Sequence, residues 1–250
     1  MSEAADRKVA FVTGAASGIG RATAEAFVVA GYATALVDRD PEAGARAEAE
    51  LQKMGSCRFI ACDVTDDASV ASAVEQTIET YGRLDAAFNA AGIDGEHGKR
   101  TAECTLENWN RVLAVDLTGT FHCVRHQIPA MLKSGGGSIV NCASVAGLVG
   151  AATFAAYVSA KHGVVGLTKV AALEYARENL TVNAICPGTI NTQMNQNLPK
   201  ELLQGVLDAS PMGRLGEPSE IAATALFLCS EGGRFVNGQA IAVDGGWITQ

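Results

Sequence analysis

The sequence predicts an α/β fold in which one doubly wound parallel sheet, covered by helices on both faces, makes up a single domain over residues 1–250. Three observations predict it. Short β-branched apolar runs alternate with helix-period segments from end to end, as parallel strands joined by crossover helices require. The polar residues of interest fall at the C-terminal ends of those runs, where open parallel sheets bind ligands. No repeat, low-complexity tract or linker divides the chain.

The first strand, Lys8 to Thr13, ends at Gly14 and leads through Ala15-Ala16-Ser17-Gly18-Ile19-Gly20 into a helix that stops at Gly31. Glycines in this turn let backbone N–H groups approach a pyrophosphate, and the helix N-terminus behind them adds partial positive charge. The spacing is G-x-x-x-G-x-G, so its likeness to the dinucleotide fingerprint is one of mechanism rather than of letter. The second strand, Ala33 to Val37, ends in Asp38, about 20 residues past the glycines, where an adenosine ribose would present its hydroxyls. A carboxylate there accepts from hydroxyls and repels a 2′-phosphate, which favours NAD over NADP, although Arg39 beside it softens the preference.

Asp40-Pro41 is an N-cap followed by an N1 proline, and opens a helix that stops at Gly55. Strand three, Arg58 to Cys62, ends in Asp63-Val64, where a carboxylate would meet the adenine amino group. A helix from Asp67 to Tyr81 and a strand from Leu84 to Phe88 follow, running into Asn89-Ala90-Ala91-Gly92. After a polar loop, residues 93–105, one long helix is predicted from Leu106 to about Lys133. His122 and His126 stand four apart on it, but no third ligand is near, so they read as packing residues and no metal site is predicted.

Gly135-Gly136-Gly137 turns into strand five, Ser138 to Ala143, which ends at Ser144. A loop of small apolar residues leads to a helix carrying Tyr157 and Lys161, which continues to about Arg177. Strand six, Leu180 to Cys186, stops at Pro187-Gly188. The stretch of residues 189–211 is polar and poorly periodic, and reads as a substrate lid. A helix from Pro218 to Cys229 and a seventh strand, Ala240 to Val243, complete the series.

Tyr157 and Lys161 lie four apart on a helix, so the ammonium sits one turn from the phenol. A neighbouring positive charge favours phenolate and brings proton exchange closer to neutral pH. The formal charge of −8 excludes a general nucleic-acid or anionic-membrane binder, and no apolar run is long enough to span a bilayer. The acidic N-terminus does not read as a signal peptide. The seven cysteines are scattered without a C-x-x-C pair and read as reduced core thiols of a cytoplasmic protein.

Together, Thr13-Gly14-Ala15-Ala16-Ser17-Gly18-Ile19-Gly20, Asn89-Ala90-Ala91-Gly92, Ser144, Tyr157-x-x-x-Lys161 and Pro187-Gly188 through Thr192 resemble the motifs of the short-chain dehydrogenases/reductases, in order and over nearly the whole chain. The resemblance implies a Rossmann fold of seven parallel strands and a homotetramer. It implies that Tyr157 is the general acid/base, that Lys161 binds the nicotinamide ribose and lowers the tyrosine pKa, and that Ser144 orients the substrate oxygen. The cofactor would be held by Gly14, Ser17, Gly18, Ile19, Gly20, Asp38, Asp63, Val64, Asn89, Ala90, Ala91, Tyr157, Lys161, Pro187, Gly188, Ile190 and Thr192.

Two positions depart from the family pattern. Ala90 replaces the second asparagine of Asn-Asn-Ala-Gly. Asp116 stands where the family often carries an asparagine that holds a water linking the lysine to solvent. An ionised aspartate accepts only and brings negative charge towards Lys161, so Asp116 is expected to relay protons and to shift the pH dependence of turnover.

The loops of residues 145–156 and 189–198 contain no Lys, Arg or His, which favours a neutral secondary alcohol or ketone, cyclic ones included, over an anionic substrate. Lys99, Arg100, Lys200 and Arg214 are the cations within reach of the mouth. Two rivals stand beside this reading: an NADPH-dependent reductase of carrier-bound ketoacyl groups, which Asp38 and the acidic pI oppose, and a non-catalytic dinucleotide-sensing protein.

Overall fold

The computed structural model describes residues 7–193, 204, 205, 207, 208 and 210–249. Seven strands form one sheet: β1 (Val9–Thr13), β2 (Ala33–Asp38), β3 (Cys57–Ala61), β4 (Ala86–Asn89), β5 (Gly137–Cys142), β6 (Leu180–Pro187) and β7 (Ala240–Val243). Their order is β3-β2-β1-β4-β5-β6-β7, and every neighbouring pair is parallel. The order reverses between β1 and β4, so the crossovers leave to opposite sides there and open a crevice at the strand C-termini.

The helices with described bounds include α1 (Gly18–Val29), α2 (Pro41–Leu51), α3 (Asp67–Tyr81), α4 (Leu106–Val112), α5 (Gly119–Lys133), α6 (Ala155–Tyr175) and α7 (Pro218–Leu228). Side-chain alternation along β1 shows the layering. Val9 and Phe11 pack with Val70, Leu84, Val124 and Met131 on the α3 and α5 side. Ala10 and Val12 pack with Phe27, Leu36, Leu51 and Leu228 on the α1, α2 and α7 side. Both faces are buried, which is why the strands read as near-continuous apolar runs. Each fully buried Phe or Leu contributes about 1.5–3 kcal/mol.

Local chemistry sets the element ends. Asp40 Oδ1 accepts from the N–H groups of Glu42 and Ala43, both at 3.0 Å, capping α2. Asp66 caps α3 through Ala68 N at 3.1 Å, and Thr105 caps α4 through Asn108 N at 3.1 Å. Several boundaries move by a residue or two from the sequence reading; β3, for example, spans Cys57–Ala61 rather than ending at Cys62.

The long helix expected from Leu106 to Lys133 is not one regular helix. Between α4 and α5 the backbone widens into a π-helical turn, Leu113–Thr118. Thr120 Oγ1, in the first turn of α5, donates back to the Asp116 carbonyl of this turn at 2.7 Å. No glycine or proline marks the insertion, so periodicity alone does not show it.

His122 Nδ1 lies 2.9 Å from the Val64 carbonyl and His126 Nε2 lies 2.9 Å from Asp67 Oδ1, so both face α3 and its approach as packing residues. All seven cysteines are free. Among the described residues no helix is long and apolar enough to cross a membrane. Of the expected lid, residues 194–203, 206 and 209 lie outside the described residues.

Candidate active site

Two cavities meet at the C-terminal ends of β1, β4 and β5. The first, about 300 Å³, is lined by Gly14, Ser17, Gly18, Ile19, Gly20, Asp38, Asp63, Val64, Ala90, Ala91 and Thr192 among the residues predicted to hold a cofactor. The second, about 230 Å³, is lined by Ser144, Tyr157, Lys161, Asp116, Pro187, Gly188 and Ile190. Ile19, Ala90, Gly92, Ile93, Cys142 and Thr192 border both, so a ligand in one abuts a ligand in the other.

The glycine turn is shaped for a bulky anion. A Cβ at Gly20 would collide with the Gly14 carbonyl, so only glycine lets α1 start this close to β1. Ser17, at the α1 N-cap, makes no side-chain hydrogen bond to the helix, which leaves the first-turn N–H groups directed at the cleft. Asp38 Oδ2 accepts from Ala16 N at 3.0 Å, which ties the end of β2 to the turn. Asp63 accepts from Thr65 N at 2.9 Å and Thr65 Oγ1 at 2.8 Å, bonds that hold its carboxyl below the usual range. This cradle and its carboxylate-tipped strands fit a dinucleotide.

One predicted cofactor residue sits elsewhere. Asn89 is buried behind the cleft, donating to Gln127 Oε1 at 3.0 Å and to Asn141 Oδ1 at 2.9 Å, while Gln127 Nε2 returns a bond at 2.8 Å. Asn141 in turn donates to Thr168 Oγ1 at 3.0 Å. The side chain therefore pins β4 to β5, α5 and α6 instead of pointing at the cavity. The segment's approach to the cleft is set by Thr13, a residue the sequence motif contains but which was not predicted as part of the site. Its Oγ1 accepts from Ala90 N at 3.0 Å and Ala91 N at 3.1 Å.

Tyr157 and Lys161 occupy the first turns of α6, with the ammonium 5.3 Å from the phenol ring centre. Lys161 is buried; its Nζ donates to the Cys142 carbonyl at 3.2 Å and lies 3.2 Å from Asp116 Oδ2. The other oxygen, Asp116 Oδ1, accepts from Ile93 N at 2.9 Å. Burial pulls the Lys161 ammonium down, but the Asp116 carboxylate and the Tyr157 phenolate outweigh it and hold it above the usual lysine value.

Ser144 Oγ accepts from Ala146 N at 3.1 Å, which fixes the hydroxyl at the start of the loop after β5. Burial pushes the Tyr157 phenol up, Lys161 and a hydrogen bond with Ser144 pull it down, and Asp116 and Asp94 add to the rise. The expected lowering by Lys161 is thus present but is not the net result. The phenol loses solvation, and the charge beside it is half-neutralised by Asp116.

A hydroxyl donor, a phenol and an ammonium converging beside a dinucleotide-shaped cleft can polarise a carbonyl and exchange its proton. The family model described as enoyl-(acyl carrier protein) reductase matches residues 14–248. The chain belongs to the short-chain dehydrogenase/reductase family and is an oxidoreductase with a nicotinamide dinucleotide cofactor. It is 39% identical over 251 residues to cyclohexanol dehydrogenase of Acinetobacter sp., covering 100% of this chain and 98% of that one. It is 42% identical over 244 residues to 2,5-dichloro-2,5-cyclohexadiene-1,4-diol dehydrogenase of Sphingobium indicum, covering 96% of each. A crystal structure of an actinorhodin polyketide ketoreductase variant with NADPH superposes with a TM-score of 0.92 at 35% identity, covering 99% of both chains.

Proposed function

We propose that the protein is an NAD-dependent dehydrogenase that interconverts a neutral secondary alcohol, cyclic ones included, and its ketone. The observation that carries this reading is that the cavity lined by Ser144, Tyr157 and Lys161 adjoins the glycine-turn cleft, the two sharing Ile19, Ala90, Gly92, Ile93, Cys142 and Thr192. Bound nicotinamide supplies the hydride acceptor for oxidation and the donor for reduction. Tyr157 takes the carbinol proton in oxidation and returns it in reduction. Ser144 donates to the substrate oxygen and steadies its developing charge. Lys161 holds the nicotinamide ribose and favours the phenolate, and Asp116 orients the ammonium and passes protons onward.

The substrate class follows from the lining. Among the described residues Lys161 is the only basic side chain bordering the catalytic cavity, and it is paired with Asp116, so an anionic substrate has no free cation to meet. The two relatives whose names specify cyclic alcohols support the same class. Asp38 at the cleft wall supports NAD, through the repulsion a 2′-phosphate would meet there. The free cysteines support a cytoplasmic location. Exposed Phe121, Val170 and Leu173 on α5 and α6 support a homotetramer assembled through those helices. The segment of residues 189–211 serves as the lid.

Absorbance of NADH, followed across a panel of neutral cyclic alcohols and acidic hydroxy compounds, tests the reading. Neutral cyclic alcohols are expected to turn over with NAD. Turnover of acidic substrates alone would overturn it. The family model's description and the ketoreductase neighbour favour a carrier-bound acyl reductase as the second reading. Reduction of ketoacyl thioesters with NADPH alone would establish that reading. NADH binding without turnover of any compound would make the protein a dinucleotide sensor.

A further inference from the structure

Asp94 borders the catalytic cavity together with Ser144, Tyr157 and Lys161, yet none of the roles above uses it. Its backbone is fixed on both sides. Ile93 N donates to Asp116 Oδ1 at 2.9 Å, and Glu96 N donates to Asn108 Oδ1 at 2.7 Å while Asn108 Nδ2 returns a bond to the Glu96 carbonyl at 3.2 Å. Asp116 and Asn108 are themselves buried, so the two anchors are rigid. Between them Gly95 turns the chain with φ +70°, and a Cβ at Gly95 would strike Val112. The loop is therefore clamped onto α4 and the π-helical turn, with Asp94 held at the cavity wall.

The half-buried carboxylate has no hydrogen-bond partner among the described residues. Its own partial burial and the Asp116 charge hold it above the usual carboxylate value, with His97 and Lys161 pulling the other way. Because Asp116 and Lys161 neutralise each other at 3.2 Å, Asp94 supplies the cavity's uncompensated charge among the described residues. A preorganised, unpartnered acceptor beside a reacting carbinol discriminates between substrates by what it must leave unpaired.

We propose that Asp94 is a specificity-determining residue that accepts a hydrogen bond from a second hydroxyl of the substrate, on a carbon away from the reacting carbinol, so that diols are preferred over the matching mono-alcohols. This rests on the alcohol dehydrogenase reading and deepens it. The second hydroxyl donates to the carboxylate, while the reacting oxygen lies between Ser144 and Tyr157. A mono-alcohol of the same ring leaves the Asp94 carboxylate at the cavity wall without a partner.

The test measures kcat/KM of the purified full-length enzyme with NAD for cyclohexane-1,4-diol, cyclohexanol and 4-aminocyclohexanol, in the wild type, Asp94→Asn and Asp94→Ala. The ratio of diol to mono-alcohol cancels any change in Tyr157 that loss of the Asp94 charge brings. The ratio is expected to fall about tenfold or more in Asp94→Ala and by less in Asp94→Asn, whose amide oxygen still accepts. An Asp94→Ala ratio equal to the wild-type value overturns the inference and leaves the dehydrogenase reading standing. A preference for the amino alcohol that vanishes in Asp94→Asn, with an unmoved diol ratio, assigns the carboxylate to an ammonium and also overturns it. Turnover of none of the three by the wild type overturns the inference, and the dehydrogenase reading is then decided by the wider panel of neutral and acidic alcohols.

Discussion

The Asp116 carboxylate lies 3.2 Å from the Lys161 ammonium, and both side chains are almost wholly withdrawn from solvent. The carboxylate is carried by the π-helical turn and the ammonium by α6. The pair neutralises much of the charge that would otherwise act on Tyr157.

Replacing Asp116 with Asn keeps the shape and removes the charge. Asp116 raises the Tyr157 phenol, so its loss lowers that pKa; Lys161 and the hydrogen bond with Ser144 then pull against burial and Asp94 alone. In the oxidative direction Tyr157 must be deprotonated to act as base. The acid limb of the pH–kcat profile is therefore expected to move to lower pH in Asp116→Asn, with higher kcat on the acid side than in the wild type. Steady-state oxidation from pH 6 to 10 measures it, and superimposable profiles would rule the electrostatic role out.

Removing the other partner has a different signature. Lys161→Met leaves the Asp116 charge buried without its counter-ion, which costs about 3–5 kcal/mol of stability. Because the folded-state pKa of Lys161 is raised, its stabilising contribution is complete below the ordinary value of 10.5 and is lost only as pH rises through the raised one. In Lys161→Met the buried Asp116 carboxyl, stripped of its counter-ion, is pushed above the usual carboxylate value and protonates more readily than in the unfolded chain, so the loss is expected to be larger at pH 9 than at pH 6. Adding Asp116→Asn to Lys161→Met should recover most of it in urea denaturation, and simple additivity of the two losses would contradict the pairing.

The strands and their polar C-terminal ends were legible because both faces of the sheet are covered. β1, β5 and β6 read as apolar runs, and the residues that follow them, such as Gly14 and Ser144, are the ones left to face a ligand. The π-helical turn was not legible, since its six residues obey helical composition and only the hydrogen-bond pattern betrays the extra width. Asp94 was missed because it lies in a loop without period. The signal available was its place as the first carboxylate after the β4 end, two residues past Gly92. Asn89 was legible as a motif member but the direction of its side chain was not, because a sequence pattern does not say which face of a strand end a side chain takes.

That direction can be checked. Asn89→Ala removes a buried amide that satisfies both Gln127 and Asn141, leaving their polar groups without partners. A loss of about 1–3 kcal/mol is expected by chemical denaturation. The NADH dissociation constant, by fluorescence titration, should change less than about threefold under conditions where the variant is folded. A large loss of NADH affinity at unchanged stability would place the side chain on the cofactor after all.

Cofactor choice turns on one carboxylate that has two jobs. Asp38 borders the cleft and also accepts from Ala16 N at 3.0 Å and Asp40 N at 3.1 Å, so deleting it would loosen the glycine turn as well as remove charge. Asp38→Asn removes the charge and keeps one of the two acceptor oxygens, so it disturbs the turn less than deletion would. With the negative charge gone and Arg39 already bordering the same cleft, a 2′-phosphate gains an attractive neighbour and loses a repulsive one. The ratio of kcat/KM with NADP to that with NAD is expected to rise about tenfold or more, mostly through the KM for NADP. An unchanged ratio, with turnover by NAD intact, would show that cofactor preference resides elsewhere in the cleft.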